Sequence, residues 1–513
     1  MRTSQRVLIN TIAQYTRTII NMVLSLFTVR LVLGALGQSD YGIYSLIAGI
    51  VAMLGFITNS LVATTQRFVS FYQGKENIEE TKEVFNNSLV IHIVLGVFIA
   101  FCLEIISPLL FNGFLNIPAE RIEAAGIVYH LVVIILLITF IAAPYRALLV
   151  AHENIVFISI VEVLNCVLKV LLVLWMTIAT ADKLIFYGCI MLGIQLSEFL
   201  ALSIYSFWKY EECVLPRFTR VKFSYIKELA SFASWRIYGT ACTIGRDQGI
   251  SVVLNRAFGT VINAGWGIGM QISGYTNFLA SAIVNAMSPV IVKSEGAGDR
   301  DRAVWLSNIL SKMVFFLMSI IAIPCLFEIK PILNWWLGSP PDSASIFSIM
   351  FILAMLVDSL TIGLTHINNA IGKIGKYIFV LNTPKFFTLV IAIILLKVGC
   401  SVIWVCACYV IIELISSIVR LFLIKQQIGL DLVQYTKNVI AKELFPLTVN
   451  IAVCYIITLL ISVPYRFVIT FVVSAIVYII AMYLFGLSKQ EKMLVNELAK
   501  GVITKIQKKG LIT

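Results

Sequence analysis

Residues 115–120 read LNIPAE and residues 337–342 read LGSPPD. Leu115 and Leu337, Pro118 and Pro340, and the acids Glu120 and Asp342 stand 222 positions apart. The same offset aligns Thr18 with Thr240, Ala35 with Ala257, Gly37 with Gly259, Ile50 with Ile272, Phe56 with Phe278 and Val62 with Val284. It then aligns Gly74 with Gly296 and Asn86 with Asn308, without a gap. One unbroken offset from the first apolar segment to the loop after the third marks an internal repeat.

Composition says what is repeated. The chain has 513 residues, 59% hydrophobic and 13% charged, and its mean hydropathy is +0.94. A soluble chain carries nearer a quarter charged residues. Here Tyr41–Gln66, Ala124–Tyr145, Ala257–Val292, Leu444–Tyr465 and Phe467–Ser488 contain no Asp, Glu, Lys or Arg at all. About 20 apolar residues cross a bilayer as a helix, so the chain reads as an all-α polytopic membrane protein. The first apolar stretch is broken by Asn10, Gln14 and Arg17, which suits a first membrane helix rather than a signal-peptide core.

Fourteen spans follow from the apolar runs: 8–33, 41–72, 84–111, 122–149, 154–179, 184–208, 226–256, 262–292, 304–329, 343–371, 375–397, 400–425, 444–463 and 465–487. With the N-terminus inside, and counting cations within a few residues of the span ends, the inner side holds 24 Lys and Arg and the outer side six. That asymmetry follows the positive-inside rule with both termini cytoplasmic. It also accounts for the net charge of +12 as topology, not as a nucleic-acid surface.

Six helices return the chain to its starting side, so the two copies run in the same sense, related by an axis along the membrane normal. The organisation is an N-terminal lobe (1–209), a cytoplasmic amphipathic linker (210–225), a C-terminal lobe (226–425), two further helices (426–487) and a basic amphipathic tail (488–513). In the linker Phe218, Val221, Tyr225, Leu229 and Phe232 recur at helical spacing between cations, and Leu494, Leu498, Val502 and Ile506 do so in the tail. Both suit helices lying on the inner leaflet. Two like halves are the arrangement expected for alternating access.

Residue patterns add to that expectation. Asn10, Gln14, Arg17, Asn21, Ser25 and Thr28 fall on one face of the first helix, and Arg236, Thr240, Thr243, Asp247, Ser251 and Asn255 on one face of the seventh. The offset maps Gln14 to Arg236, Asn21 to Thr243 and Ser25 to Asp247. A polar face repeated in equivalent helices points at something other than lipid. Glu104, Glu162, Lys169, Glu198, Arg246, Lys312, Asp358, Lys385, Glu413 and Arg420 also fall within spans. Charged groups at that depth face the bundle or a watery cavity. The competing account of these charges is an internal ion-pair network with no ligand. For Arg30, Arg67, Lys312 and Arg420, nearer span ends, snorkelling is the favoured account.

The ten cysteines include no CxxC and form no metal-ligand spacing with the four histidines, so neither a metal nor a cofactor is expected. Polytopic membrane enzymes need a sizeable outer loop for catalytic groups. The largest outer gap, about 330–343, has no histidine. None of His92, His130, His152 and His366 stands in a nucleophile arrangement, so no enzyme is expected.

Five stretches resemble bacterial polysaccharide transporters: RLVLGALGQSDYGIYSL (30–46), NSLVATTQRFVSFYQGK (59–75), NAMSPVIVKSEGAGDRDRA (285–303), LNWWLGSPPDSA (333–344) and NNAIGKIGKY (368–377). The family is that of the O-antigen and capsule repeat-unit flippases, in the multidrug/oligosaccharidyl-lipid/polysaccharide (MOP) superfamily. The resemblance implies two six-helix lobes around a cationic cavity lined by helices one, two, seven and eight. It implies a lipid-linked oligosaccharide as substrate, flipped across the bacterial cytoplasmic (inner) membrane. It also implies membrane lipids, a polysaccharide polymerase and a chain-length regulator as partners, and a monomer. Fourteen spans suit this branch better than the twelve of multidrug exporters, which are the alternative. Relatives that flip the peptidoglycan precursor would show an arginine in helix eight, and Ala257–Val292 has none. On this reading Arg17, Arg236 and Arg246 hold the diphosphate, with Arg30 and Arg67 as further cations. Gln14, Asn21, Thr240 and Thr243 meet sugar hydroxyls, and Asp247, Glu162 and Asp358 are candidates for ion coupling.

Overall fold

The computed structural model describes the chain except residues 1–2, 53, 112–116, 179–181, 219–220, 259, 338–339, 462, 464, 489–490 and 494–513. Some side chains in the first, seventh and eighth helices, including those of Ser25, Arg30, Ser39 and Asn255, are likewise outside the description. Among the described residues the regular structure is entirely helical.

The first half contains α1 (Thr3–Ala52), α2 (Gly55–Gly74), α3 (Ile78–Leu109), α4 (Ile122–Ala151), α5 (Ile155–Ile178) and α6 (Lys183–Lys209). The second contains α7 (Phe223–Phe258), α8 (Thr260–Gly296), α9 (Arg300–Leu337), α10 (Asp342–Ser359), α11 (Ile362–Ile371), α12 (Gly375–Lys397) and α13 (Val402–Ile428). A short α14 (Leu432–Tyr435) leads through a π turn into α15 (Ala441–Leu460), and α16 (Arg466–Ala481) follows. Every expected span corresponds to helix, with two breaks that sequence did not place. The segment 41–72 divides between α1, ending at Ala52, and α2, beginning at Gly55, and 343–371 is interrupted at Leu360–Thr361 between α10 and α11. The boundary between the first two spans is a kink inside α1 at Gly37, whose φ of 78° only glycine adopts without strain.

Ten helices are long and apolar enough to cross a membrane among the described residues, or eleven if the bent pair Gly265–Asn277 and Ala280–Gly296 is one span. Fourteen spans were expected. The helices outside this set, α1, α2 and α7, are as long as the others. Polar residues such as Asn10, Gln14, Arg17 and Asn21 in α1, or Arg236, Thr240, Arg246 and Asp247 in α7, lower their apolarity. The molecule is therefore a multi-pass membrane protein in which the helices with polar faces are the least lipid-like.

Two compact units form. One comprises Ile9–Ile237 with Val292–Asp299. Its centre is α4, which packs on α2, α3 and α6 through Val128, Tyr129, Val132 and Phe140. Arg121 joins three segments here: it donates to Asp40, just past the Gly37 kink of α1, and to Asp182 before α6. Asp182 in turn caps α6 through the amides of Leu184 and Ile185, satisfying donors that an α-helix leaves open at its start. The other unit comprises Tyr238–Ile291 and Arg300–Thr513, with the first eight residues. In it α13 packs on α10 and α12 around Trp266, Phe347, Phe351 and Tyr409. The last two long helices, α15 and α16, pack on α9.

The stretch expected to form one interfacial helix does not. Residues 213–217 have no regular structure, and Phe223 begins α7 itself. Asn86 and Asn87 of α3 replace the helical hydrogen bonds: Asn86 bonds the Arg217 amide and carbonyl, and Asn87 accepts from the Lys222 amide. Leu229 and Phe232 are buried in the unit rather than facing lipid. The division into units also falls inside α7, at 237/238, not in the linker. The tail pattern from Leu494 onward lies outside the described residues.

Candidate functional site

Each half carries a knot of charges, and the two knots sit on equivalent helices. In the first half the knot joins α1, α4, α5 and α6. Arg17 Nη1 lies 2.9 Å from Glu162 Oε2, the other Glu162 oxygen meets Arg146, and Arg146 Nη1 lies 3.2 Å from Glu198 Oε1. Asn165, one turn on in α5, accepts from Ser197 at 2.8 Å. Arg146, at the inner end of the fourth span, belongs to α4 and pairs inside the bundle. The signal that could have found it is the presence of two acids, Glu162 and Glu198, in apolar helices, since buried carboxylates require cations.

In the second half the knot joins α7, α10, α12 and α13. Arg246 is 5% exposed. Its Nε donates to Asp247 at 2.8 Å, its Nη1 to Glu413 at 2.6 Å and its Nη2 to the Tyr409 hydroxyl. The guanidinium also lies 4.0 Å from the centre of the Tyr409 ring, where a cation gains from the ring quadrupole. Lys385 Nζ stands 2.6 Å from the second oxygen of Glu413 and 3.9 Å from Asp358. Arg420 donates to Asp358 Oδ1 at 2.6 Å and to Thr361 at 2.9 Å. Three cations thus meet three acids, as the cost of burying an uncompensated charge demands.

This second knot forms the floor of a cavity of about 300 Å³. Thr243, Asp247, Asp358 and Lys385 supply polar groups, while Met270, Met318, Met355 and Phe351 supply apolar wall. Asp247 and Asp358 are its most open acids, at 21% and 34% side-chain exposure. The cationic cavity implied by the resemblance is not what this pocket presents. Its arginine and lysine charges are balanced by acids, so its electrostatic character is mixed.

The sequence-derived candidates therefore divide. Arg246, Asp247, Asp358 and Thr243 converge on the cavity. Arg17 and Glu162 pair with each other in the first half, so for Arg17 the account based on neutralising a buried acid holds geometrically. Gln14 and Asn21 belong to the same unit, each with its side-chain oxygen buried and without a donor. Thr240 accepts, through its carbonyl, from the Thr243 hydroxyl at 2.9 Å. Arg67 is 6% exposed and is ringed by Phe68, Phe71 and Phe232, whose centres lie 4.4, 5.0 and 5.3 Å from its guanidinium carbon. The Arg30 side chain lies outside the described residues. Arg236 differs from all of these: it makes no ion pair among the described residues, and its Nε is buried without an acceptor. Sequence reading passed over Tyr409 as a site residue and left Lys385, Glu413 and Arg420 unassigned, although the first three line the cavity and Arg420 holds Asp358.

The MatE family model matches residues 16–175, which run from α1 into α5. Among solved structures, a MOP superfamily transporter from Pyrococcus furiosus superposes with a TM-score of 0.69 at 14% identity, over 83% of this chain and 96% of that one. An outward-facing multidrug resistance MATE family transporter of the MOP superfamily gives 0.68 at 14% identity, with the same coverage. MATE in complex with MaD5 gives 0.70 at 14% identity, over 84% of this chain and 97% of that one. No curated protein matches the sequence significantly. The fold is that of MATE transporters of the MOP superfamily.

Proposed function

We propose that this chain is a transporter of the MATE type that exports an amphipathic solute across the membrane by alternating access. The observation that carries the reading is the second-half cavity. Its volume, about 300 Å³, is at the small end of sites for drug-sized molecules. Its wall of three methionines and a phenylalanine adapts to varied apolar shapes. Asp247 and Asp358, the most open acids there, would meet a cationic group of the ligand in exchange for part of their pairing with Arg246 and Arg420. The MatE match over the first helices and the likeness to a multidrug resistance transporter support export over the flipping of a lipid-linked glycan. The cell membrane with both termini inside remains the proposed location, supported by the distribution of cations among the loops.

The test is efflux of a lipophilic cationic dye from proteoliposomes or from a drug-sensitive host expressing the chain. Export should fall at least about tenfold in Asp247→Asn, Asp358→Asn or both, the loss expected when a desolvated charge pair to the ligand is removed. Dye handling identical to that of empty vesicles would overturn the reading.

One observation favours a second reading, a flippase for a diphosphate-linked oligosaccharide. Arg236 is a half-buried guanidinium without an acid, and guanidinium binds phosphate oxygens in a planar, two-point manner. Deletion of the gene separates the two readings. Loss of surface polysaccharide with unchanged dye sensitivity supports the flippase; raised sensitivity with intact surface glycan supports the exporter.

A further inference from the structure

The pair α15–α16, which lies beyond the twofold repeat, holds a carboxyl that neither reading uses. Glu443, in the first turn of α15, is 0% exposed. Its Oε2 accepts a long hydrogen bond, 3.4 Å, from the Tyr478 hydroxyl of α16. Its Oε1 is buried without a donor. The nearby cation is already engaged: Lys312 of α9 gives its ammonium to Glu491 Oε2 at 2.6 Å and to the Gly486 carbonyl at 3.1 Å. Glu491 is fixed in turn by the Ser488 amide at 2.6 Å, and its own amide bonds the Ser488 hydroxyl. This reciprocal pair is a capping box that holds the carboxylate in place.

Charge counting then decides the state of Glu443. Lys312 and Glu491 cancel. An ionised Glu443 would leave one uncompensated negative charge in a site with no water-facing surface and a bare oxygen, which folded proteins avoid by neutralising the group. Among the described residues, the facing titratable groups are Lys312 from α9, Tyr478 from α16 and Glu491 beyond it. Lys437 and Tyr483 on the adjoining π turns are exposed, and Lys442 on the same helix is half-exposed.

We propose that Glu443 is a proton-binding site, occupied while Lys312 pairs with Glu491 and emptied when Lys312 turns to Glu443. In the exchange, the Glu443 O–H bond breaks and the proton passes to the Glu491 carboxylate. The Lys312 ammonium moves from Glu491 to the new Glu443 carboxylate. Glu491, 14% exposed at the rim, then gives the proton to water. The total charge of the three groups changes only by that proton. The site is suited to making the packing of α9 against α15 and α16 respond to protonation. Glu328 at the other end of the same seam cannot do this. It is 0% exposed but accepts two hydrogen bonds from Arg466, at 2.8 and 3.0 Å, and one from Thr470 at 2.9 Å, so its charge is fully met.

The proposal is tested on the purified full chain, independently of any transport assay. Dicyclohexylcarbodiimide attacks protonated carboxyls in apolar surroundings, and peptide mass spectrometry locates the adduct. Glu443 should be modified and Glu328 should not. The yield should drop at least about threefold between about pH 6 and about pH 9, as expected for titration of a buried acid. In Lys312→Gln, which removes the cation that stabilises the ionised form, the modification should persist to higher pH. A carbonyl stretch from a protonated carboxyl should appear in the infrared spectrum and vanish in Glu443→Gln. If Glu443→Gln is poorly folded, Glu443→Asp keeps the titrating group and should shift the stretch. Modification of Glu328 in place of Glu443, a pH-independent yield, or a carbonyl band unaltered by both substitutions would overturn the proposal. Loss of the transporter reading would leave these results untouched.

Discussion

Gly74 and Gly296 occupy equivalent places in the repeat and close the same helix crossing from opposite sides. A Cβ on Gly74 would lie 2.1 Å from the Lys293 carbonyl oxygen, and one on Gly296 would lie 2.0 Å from the Phe71 carbonyl oxygen. Phe71 and Lys293 are themselves 222 positions apart, so the contact has approximate twofold symmetry. It joins the ends of α2 and α8 within one compact unit. Lys293 adds an ion pair to Glu153 at 3.2 Å. Small residues permit such close backbone approach between helices in membranes.

Alanine at either glycine must therefore push the two helix ends apart. Gly74→Ala and Gly296→Ala should each lower stability by about 1–3 kcal/mol, the usual cost of inserting a methyl into a packed contact. Gly126→Ala is the control, since a Cβ there meets nothing within 4 Å; it should be neutral or slightly stabilising. Thermal unfolding in detergent reads all three. Equal effects at Gly74, Gly296 and Gly126 would show that the crossing is not tight.

Glu162 sits between two guanidiniums, those of Arg17 and Arg146. Removing its charge leaves Arg17 without its paired acid and Arg146 with Glu198 alone, whereas Arg17→Gln leaves Glu162 with Arg146. Glu162→Gln should thus cost more stability than Arg17→Gln, by about 1–3 kcal/mol, since breaking a buried pair strands the remaining charge. Melting temperatures of the two variants decide it; the reverse order would mean that Arg17 is the hub.

Arg236 and Arg246 should separate structure from function. Arg246 is held by Asp247, Glu413 and Tyr409, so Arg246→Gln should lower the melting temperature. Arg236 has no such acids, and Arg236→Gln should leave the melting temperature within a few degrees of the parent, corresponding to less than about 1 kcal/mol. On the flippase reading, transport should nevertheless fall in Arg236→Gln, with lysine restoring it only in part. Full transport by both Arg236→Gln and Arg236→Lys would remove Arg236 from the site.

Glu212, in the loop before α7, gives a pH dependence outside the membrane. Burial alone would raise its pKa, but the hydrogen bond and charge of His152 and the Gln73 amide outweigh it and hold the carboxyl down at about 2. The contacts are short, 2.6 Å to His152 and 2.9 Å to Gln73. A depressed carboxylate contributes stability that is complete above its ordinary value of 4.5 and is lost as pH falls toward 2. The melting-temperature gap between the parent and Glu212→Gln should therefore be widest above about pH 5 and narrow on acidification. A gap that is constant across that range would rule out this linkage.

By itself the sequence determined the class and the plan. Long uncharged runs such as Ala257–Val292 dictate membrane helices because unsatisfied backbone groups are too costly in lipid. The 222-residue offset dictates two like halves, and the coincident stripes on α1 and α7 dictate that these helices turn polar faces away from lipid. Those signals are local or periodic, so they survive in one dimension. The tertiary structure alone decided which charges meet. Nothing in the spacing of Arg146, Glu162 and Glu198, or of Arg246, Lys385, Glu413 and Arg420, says that each set closes on itself. Their partners lie tens to more than a hundred residues away in the chain and are chosen by helix packing. It also decided that α3 holds the linker through Asn86 and Asn87. Amphipathic periodicity at 218–232 was legible, but the asparagine hydrogen bonds that supplant a continuous helix there arise only once α3 is packed beside it. Partners, not residue type or burial, likewise set Glu443 apart from Glu328: both are fully buried glutamates in apolar helices, and only the packing gives one an arginine and denies one to the other.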